Sequence, residues 1–208
     1  EEFFKEYSYR PHGRLYLGNE NNSLIVPEHH NTYGQDYLEA RTENGLIKFS
    51  YLHLTIGKAK GGVKDVFMGY AYLTEFENKK FSGRTLLLNN ENFLKEKYFE
   101  RKYGLKRANF GHSEFENLID AYTSDQVEAR YLLDPIVLKG IIEIKRNLGA
   151  DKVLASFYDQ KFLLLIMCKK GYLKLPSLFK SFVKQGSLDK LRHDLKIISS
   201  INAKLNFK

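Results

Sequence analysis

Apolar and polar residues alternate along much of the first half of the chain, and this two-residue period predicts β-strands. The strongest strand predictions cover residues 37–41, 46–56, 66–76 and 83–88. Asn44-Gly45 lies between the first two strands and is typical of a tight hairpin turn. Because short turns join antiparallel neighbours, these strands predict a meander.

Two further apolar runs, 153–157 and 162–168, are separated by a short turn and predict a second hairpin. Their apolar residues are continuous rather than alternating, which indicates strands that are buried on both faces. Cys168, the single cysteine, ends the second run. We therefore expect a buried structural thiol, no internal disulfide and a reducing compartment.

The segment between the two sets of strands has the spacing of helices. Apolar residues recur at helical intervals from Ile136 to Leu148. Asp134 suits the N-cap of this helix and Pro135 its first position, where the missing amide costs nothing. Gly149 supplies a left-handed end.

A shorter helix is predicted just before it. Asp125 can cap its amino end, and Glu128, three residues on, can complete a capping box. Val127, Tyr131 and Leu132 would then form one apolar side of this helix.

These elements predict an α+β fold, in which antiparallel sheet from the N-terminal meander and the C-terminal hairpin packs with three to five helices. We expect a single domain over residues 1–208, in keeping with its length. Two appendages are expected on it: an N-terminal segment, 1–10, that becomes ordered on docking, and a basic helical region, 176–208. Neither a membrane-spanning run nor a signal peptide is visible, since the longest apolar stretch covers only 162–167.

The net charge of +8 is concentrated at one end of the chain. Residues 169–208 hold ten Lys/Arg and two Asp/Glu, a difference of +8, so the rest of the chain is neutral. Lys190, Arg192, Lys196 and Lys204 lie off the apolar stripe of this region and are candidate contacts for an anionic partner. A solvated face of a packed helix is an equally good interpretation of these lysines.

Arg130 is the one member of 124–135 without a local structural role. It could be a structural arginine, ion-paired to Asp125 or Glu128. Alternatively, it could contact an anion or a partner at the end of the helix.

The sequence predicts no catalytic residue, no cofactor and no metal site. His29-His30 with Asp36 and Glu39 lack the usual ligand spacing, and surface histidines in a loop are the favoured interpretation. The Gly- and Lys-rich segment 57–64 lacks the Gly-Lys-Ser/Thr ending of a phosphate-binding loop, so a hairpin turn is favoured there.

Several motifs resemble a bacterial family known as domain of unknown function 3137. The residues that carry the resemblance are His112, Phe115-Glu116, the run 122–135, Gly34-Gln35-Asp36-Tyr37, Phe67-Met68-Gly69, Phe81-Ser82-Gly83-Arg84-Thr85 and Ser156-Phe157-Tyr158. The chain departs from the family pattern at Asp134, where Thr is expected, although Asp caps a helix equally well. The resemblance implies a cytoplasm-facing part of a protein anchored in the inner membrane. It implies no activity, so no catalytic residue is carried over.

Our leading functional prediction is a non-catalytic interaction or scaffold module at the cytoplasmic face of the inner membrane, which docks a protein partner or anionic lipid headgroups. The alternative is an enzyme of unrecognised class, with Asp36, Glu128, Arg130 and a histidine converging in one cleft. A third possibility is nucleic-acid binding through the basic C-terminal region.

Overall fold

The computed structural model describes residues 6–43, 45–59, 61–89, 93–108, 116, 118–168, 193, 196–197 and 200. Its nine strands are β1 (Glu6–Arg10), β2 (Asn31–Thr42), β3 (Gly45–Gly57), β4 (Val63–Phe76), β5 (Thr85–Asn89), β6 (Lys106–Ala108), β7 (Ile119–Thr123), β8 (Lys152–Tyr158) and β9 (Lys161–Met167). The three helices with described bounds are α1 (Phe93–Tyr103), α2 (Gln126–Leu132) and α3 (Pro135–Leu148), and a short 3₁₀ turn covers Asn21–Ser23.

All nine strands form one antiparallel sheet with the order β1-β2-β3-β4-β9-β8-β5-β7-β6. The predicted α+β fold with three to five helices is therefore wrong, because the part of the chain that the structure describes is dominated by a single large sheet. The meander and the hairpin are not separate units. The hairpin β8–β9 lies between β4 and β5 and joins them.

The position of this hairpin follows from its composition. Phe162, Leu163, Leu164, Leu165 and Ile166 are all fully buried, so β9 has no face that tolerates water. A strand that is apolar on both faces is stable only in the middle of a covered sheet. The predicted burial of this hairpin on both faces is confirmed, whereas its neighbours in the sheet were not predictable from local pattern.

Each face of the sheet is covered by a different layer. On one face, Val137, Leu138, Ile141 and Ile144 of α3 pack on strand residues that include Phe157. On the other face, the loop before β2 contributes Leu15, Leu17 and Ile25, and α1 contributes Phe99. Fully burying one aliphatic or aromatic side chain contributes about 1.5–3 kcal/mol, so both layers are substantial sources of stability.

The predicted helix at 135–148 is present as α3. Asp134 Oδ1 accepts a hydrogen bond from Ile136 N (2.8 Å), and Pro135 occupies the first turn. The helix ends at Gly149, whose φ of +57° lies in the left-handed region that glycine tolerates best.

Only part of each predicted appendage is described. Residues 6–10 of the N-terminal segment form β1, an edge strand whose five residues are all exposed. In the basic region, His193, Lys196, Ile197 and Ser200 have helical backbone, and Ile197 packs against the α3 side of the sheet. Lys190, Arg192 and Lys204 lie outside the described residues. No helix among the described residues is long and apolar enough to cross a membrane.

Candidate interaction surface

Helix α2 is tied to the segment before β5 by a dense set of hydrogen bonds. Glu128 Oε1 and Oε2 accept from the backbone amides of Ser82 and Gly83, both at 2.9 Å. Ser82 Oγ donates to Asp125 Oδ2 (2.8 Å), and Arg84 N donates to Ser124 Oγ (2.8 Å). Two segments about forty residues apart in sequence are thereby held together by charge-assisted bonds, which are among the stronger hydrogen bonds in proteins.

Asp125 is the N-cap of α2. Its Oδ1 accepts from Val127 N and Glu128 N, both at 3.0 Å. These bonds and the one from Ser82 favour the ionised carboxylate, and the bond from the Glu128 amide is the largest cause of a lowered Asp125 pKa. The predicted capping box takes a different form, because Asp125 N donates to Thr123 Oγ1 and the Glu128 carboxylate binds Ser82 and Gly83 instead.

The glycine at position 83 is required by this close approach. A Cβ there would lie 2.7 Å from Asp125 Cβ and 2.9 Å from Ser124 Oγ, which is too close for any side chain. The two motifs at 81–85 and 124–128 therefore form one structural unit, which we call the α2 joint.

Helix α2 and the first turn of α3 present apolar side chains to solvent. Val127 is 66% exposed, Tyr131 56% and Ile136 55%, although all three are large apolar or aromatic residues. Val127 and Tyr131 are four residues apart and so are neighbours on one face of α2. The predicted apolar side of this helix is only partly correct, since Leu132 is buried but Val127 and Tyr131 are not. The buried side is formed by Ala129 and Leu132.

Arg130 lies beside this surface and is exposed. The two carboxylates that the sequence suggested as its partners bind backbone amides and Ser82 instead. Among the described residues, none forms an ion pair or a hydrogen bond with the Arg130 side chain. We define the docking patch as Val127, Arg130, Tyr131 and Ile136.

The basic C-terminal candidates can be placed only in part. His193 Nε2 lies 2.9 Å from Glu143 Oε1, which brings this part of the chain alongside α3. Lys196 is exposed one turn further on. The other three basic candidates of this region fall outside the described residues, so the structure neither assembles nor separates them from Lys196.

The residues of the predicted enzyme site do not converge. Asp36 is buried in β2 and accepts a hydrogen bond from Tyr9 Oη (2.7 Å), and burial is the main cause that raises its pKa. Glu128 binds the segment before β5, which is five strands away from β2 in the sheet. At about 4.8 Å per strand, this places the two carboxylates roughly 24 Å apart along the sheet.

The histidines considered for metal binding have other contacts. His29 Nδ1 donates to Pro27 O (2.9 Å), and His30 Nδ1 accepts from Gly57 N (3.1 Å). Within the described ranges, no three His, Cys, Asp or Glu side chains are grouped so as to hold a metal ion. The Cys168 thiol is buried, and burial raises its pKa to about 11.

One buried polar cluster had no signal in the sequence. Glu20 is 3% exposed and accepts hydrogen bonds from Tyr158 Oη and from Lys161 Nζ (2.8 Å). Lys161 also lies 3.7 Å from Glu75, which pairs with Lys48 at 2.7 Å. Because Glu20 belongs to the loop before β2, these hydrogen bonds attach that loop to the β8–β9 hairpin. Only the folded chain brings together groups 138 residues apart.

Comparison with individual known proteins gives two results. A comparison with curated proteins finds no match. Among solved structures, the chain is similar to the crystal structure of the mycobacterial trehalose monomycolate transport factor A, TtfA, with 6% identity and a TM-score of 0.48, over 94% of this chain and 86% of that one.

A family model described as "Protein of unknown function (DUF3137)" matches residues 65–207, which is more than half of the chain. This match confirms the resemblance found in the sequence motifs and includes both halves of the α2 joint. The chain belongs to the DUF3137 family.

Proposed function

We propose that the chain is a non-catalytic interaction module that binds a protein partner through the docking patch. The observation that carries this proposal is the exposure of Val127 and Tyr131 on α2 and of Ile136 in the first turn of α3. Scattered exposed apolar residues are normal on a protein surface, but Val127 and Tyr131 share one face of α2 with Arg130, and an apolar group beside an arginine is typical of a binding site.

The composition of the patch suits protein recognition. Tyrosine and arginine are the residue types that most often dominate binding energy at interfaces. Fully burying an aliphatic side chain such as Val127 or Ile136 contributes about 1.5–3 kcal/mol, and Tyr131 adds a larger area with a polar tip. These three side chains together offer enough gross energy for a specific, reversible contact.

The α2 joint also limits the entropic cost of binding. Helix α2 has seven residues and would not be stable alone. Capping by Asp125 and the bonds from Glu128 to the amides of Ser82 and Gly83 hold it in place. A surface that is already ordered loses less conformational freedom when a partner binds.

Arg130 defines the chemistry of the partner. An exposed guanidinium without an intramolecular partner among the described residues can form a bidentate pair with a carboxylate. We infer that the partner presents an apolar surface with at least one Asp or Glu at the position facing Arg130.

We further propose that the module works at the cytoplasmic face of the bacterial inner membrane. This proposal is supported by the setting that the family resemblance implies. Fractionation of cells that express the full-length gene product tests it, because recovery of the protein only in the soluble fraction would contradict it.

Site-specific photo-crosslinking in the native host tests the docking patch directly. A benzoylphenylalanine residue in place of Tyr131 should give a discrete protein adduct, and the adduct should be lost when Arg130→Met is added. Tyr33 is the matched control, because it is equally exposed (56%) but lies on β2. The proposal is wrong if position 131 gives no adduct, or if position 33 gives the same one.

A lipid surface is the competing target for a basic chain. Co-sedimentation with vesicles of neutral or anionic lipid distinguishes the two. Binding to anionic vesicles that falls with Arg130→Met or with Tyr131→Ser would assign the patch to lipid and would contradict the proposal of a protein partner.

A further inference from the structure

A small polar pocket lies beside the α2 joint, and Ser82, Gly83 and Ser124 of the joint form part of its lining. It has a volume of about 300 Å³ and is lined by residues that include Lys80, Arg84, Ser124 and Asp159. Arg84 belongs to the motif Phe81-Ser82-Gly83-Arg84-Thr85. In this motif, only backbone amides and the Ser82 hydroxyl form the hydrogen bonds of the joint. The Arg84 side chain therefore has no part in the joint.

The Arg84 guanidinium is incompletely satisfied. Its Nε is inaccessible to solvent and has no hydrogen-bond partner in the part of the chain that the structure describes. No carboxylate of the described residues forms an ion pair with it. A partly dehydrated cation without a counter-charge is unfavourable, so this arrangement is expected where an anion completes the site.

Two further groups in the pocket can bind an anion. Lys80 is exposed at its edge and adds a second positive charge. Ser124 Oγ accepts a hydrogen bond from the Arg84 amide. Among the described residues, no hydrogen bond uses the Ser124 hydroxyl hydrogen, which leaves one donor for a ligand oxygen.

The acidic groups around the pocket leave these donors accessible. The Asp125 and Glu128 carboxylates are bound by backbone amides and the Ser82 hydroxyl. Asp159 is the carboxylate in the lining, and its Oδ2 lies 3.4 Å from Asn22 Nδ2. The lining therefore carries two cations against one exposed carboxylate.

We propose that this pocket binds a phosphate group. Arg84 supplies a planar fork of donors, Lys80 supplies charge, and the Ser124 hydroxyl supplies a neutral donor, a combination that matches the oxygens of a phosphate. The phosphate belongs either to the headgroup of an anionic lipid or to a soluble phosphate compound. The site is separate from the docking patch, and either proposal can fail without the other.

Titration with inorganic phosphate at low ionic strength, followed by backbone amide NMR, tests the site. We expect saturable shifts confined to residues 80–85, 124 and 158–159. Arg84→Met keeps the alkyl stem but removes the fork, and it should weaken the apparent affinity about tenfold or more. Lys80→Met, at an exposed position, should weaken phosphate binding without any effect on folding. If Arg84→Met does not fold, the phosphate affinity of Lys80→Met tests the site instead.

Arg146→Met is the control, because it removes the same charge near the far end of α3, about 16 Å from Pro135 along the helix. Absence of saturable shifts in the wild-type protein would overturn the proposal. Equal affinities for the wild type, Lys80→Met and Arg84→Met would overturn it as well.

Vesicles then identify the source of the phosphate. Stronger binding to phosphatidic acid than to phosphatidylcholine vesicles, lost in Arg84→Met but kept in Arg146→Met, assigns the site to a lipid headgroup. A phosphate titration that depends on Arg84, together with vesicle binding that does not, assigns it to a soluble phosphate compound.

Discussion

Replacing Gly83 by Ala should destabilise the protein by forcing the two halves of the α2 joint apart. The added Cβ would lie 2.7 Å from Asp125 Cβ, 2.9 Å from Ser124 Oγ and 3.2 Å from Asp125 N. Neither Asp125 Cβ nor the backbone can rotate away. The contact must therefore be relieved by a shift of the segments by several tenths of an ångström or more.

The size of the effect follows from what that shift disturbs. Overpacking alone costs about 1–3 kcal/mol. The same shift stretches the bonds from Gly83 N to Glu128 and from Arg84 N to Ser124 (2.9 and 2.8 Å), and a hydrogen bond to a charged group contributes about 1.5–3 kcal/mol when fully lost. With partial loss of these bonds, we expect the free energy of unfolding to fall by ~2–4 kcal/mol.

Urea denaturation and thermal unfolding, both followed by circular dichroism, measure this loss. For a chain of this length each kcal/mol lowers Tm by about 2–4 °C, so Gly83→Ala should unfold ~5–15 °C below the wild type. Gly57→Ala is the matched control, since its nearest neighbour, His30 Nδ1, lies 3.5 Å from the new Cβ at an ordinary contact distance. If the two variants are equally stable, the joint does not hold the segments together as described.

Three further predictions concern pH, the centre of the sheet and the cysteine. Asp125→Asn keeps a capping side chain but removes a carboxylate whose pKa is lowered below 3.8 by its amide donors. The wild type should therefore be the more stable above pH 3.8, and acid titration of stability should show this difference disappear as pH falls through the lowered pKa. Gly69→Ala places a Cβ 1.9 Å from Ile166 O in the centre of the sheet, so it should cost at least ~3 kcal/mol or prevent folding, as measured by urea denaturation. The Cys168 thiol, with a pKa of about 11, should resist alkylation at pH 8 in the native protein and react in denaturant, and rapid native labelling would contradict its burial.

Local pattern was sufficient to locate most strands but not to order them. The predicted strands at 37–41, 46–56 and 66–76 lie within β2, β3 and β4, and the first pair is antiparallel with Thr42 opposite Gly45. The run at 83–88 was expected to continue the meander, yet β5 pairs with β8 and β7 instead. Hydrophobic periodicity reports which faces are buried, whereas the identity of the neighbouring strand depends on contacts distant in sequence.

Glu128 illustrates the same limit at the candidate site. Its spacing from Asp125 predicts a capping box, and that local pattern is compatible with the helix that forms. Its carboxylate instead binds amides 45 and 46 residues away, because Gly83 lets that backbone approach closely. Both segments were visible as family motifs, but a motif does not reveal its contact partner.

The exposure of the docking patch was not predicted, because the spacing assigns Val127 and Tyr131 to the same apolar side of α2 as the buried Leu132. A helix as short as α2 has apolar residues on both sides, and periodicity does not decide which side is buried. Ala129 and Leu132 pack inward, whereas Val127 and Tyr131 remain exposed. The packing of α2 on the sheet determines which of its sides is buried.

The most direct test of the interaction module is the affinity of the cross-linked partner for two matched variants. Tyr131→Ser and Tyr33→Ser remove the same side chain from equally exposed positions, so both should fold with stabilities close to that of the wild type. Isothermal titration calorimetry with the purified partner should give a Kd that is about tenfold or more weaker for Tyr131→Ser, because a central tyrosine typically contributes at least about 1.4 kcal/mol, and unchanged for Tyr33→Ser. Equal affinities for the two variants would contradict the assignment of binding to the docking patch.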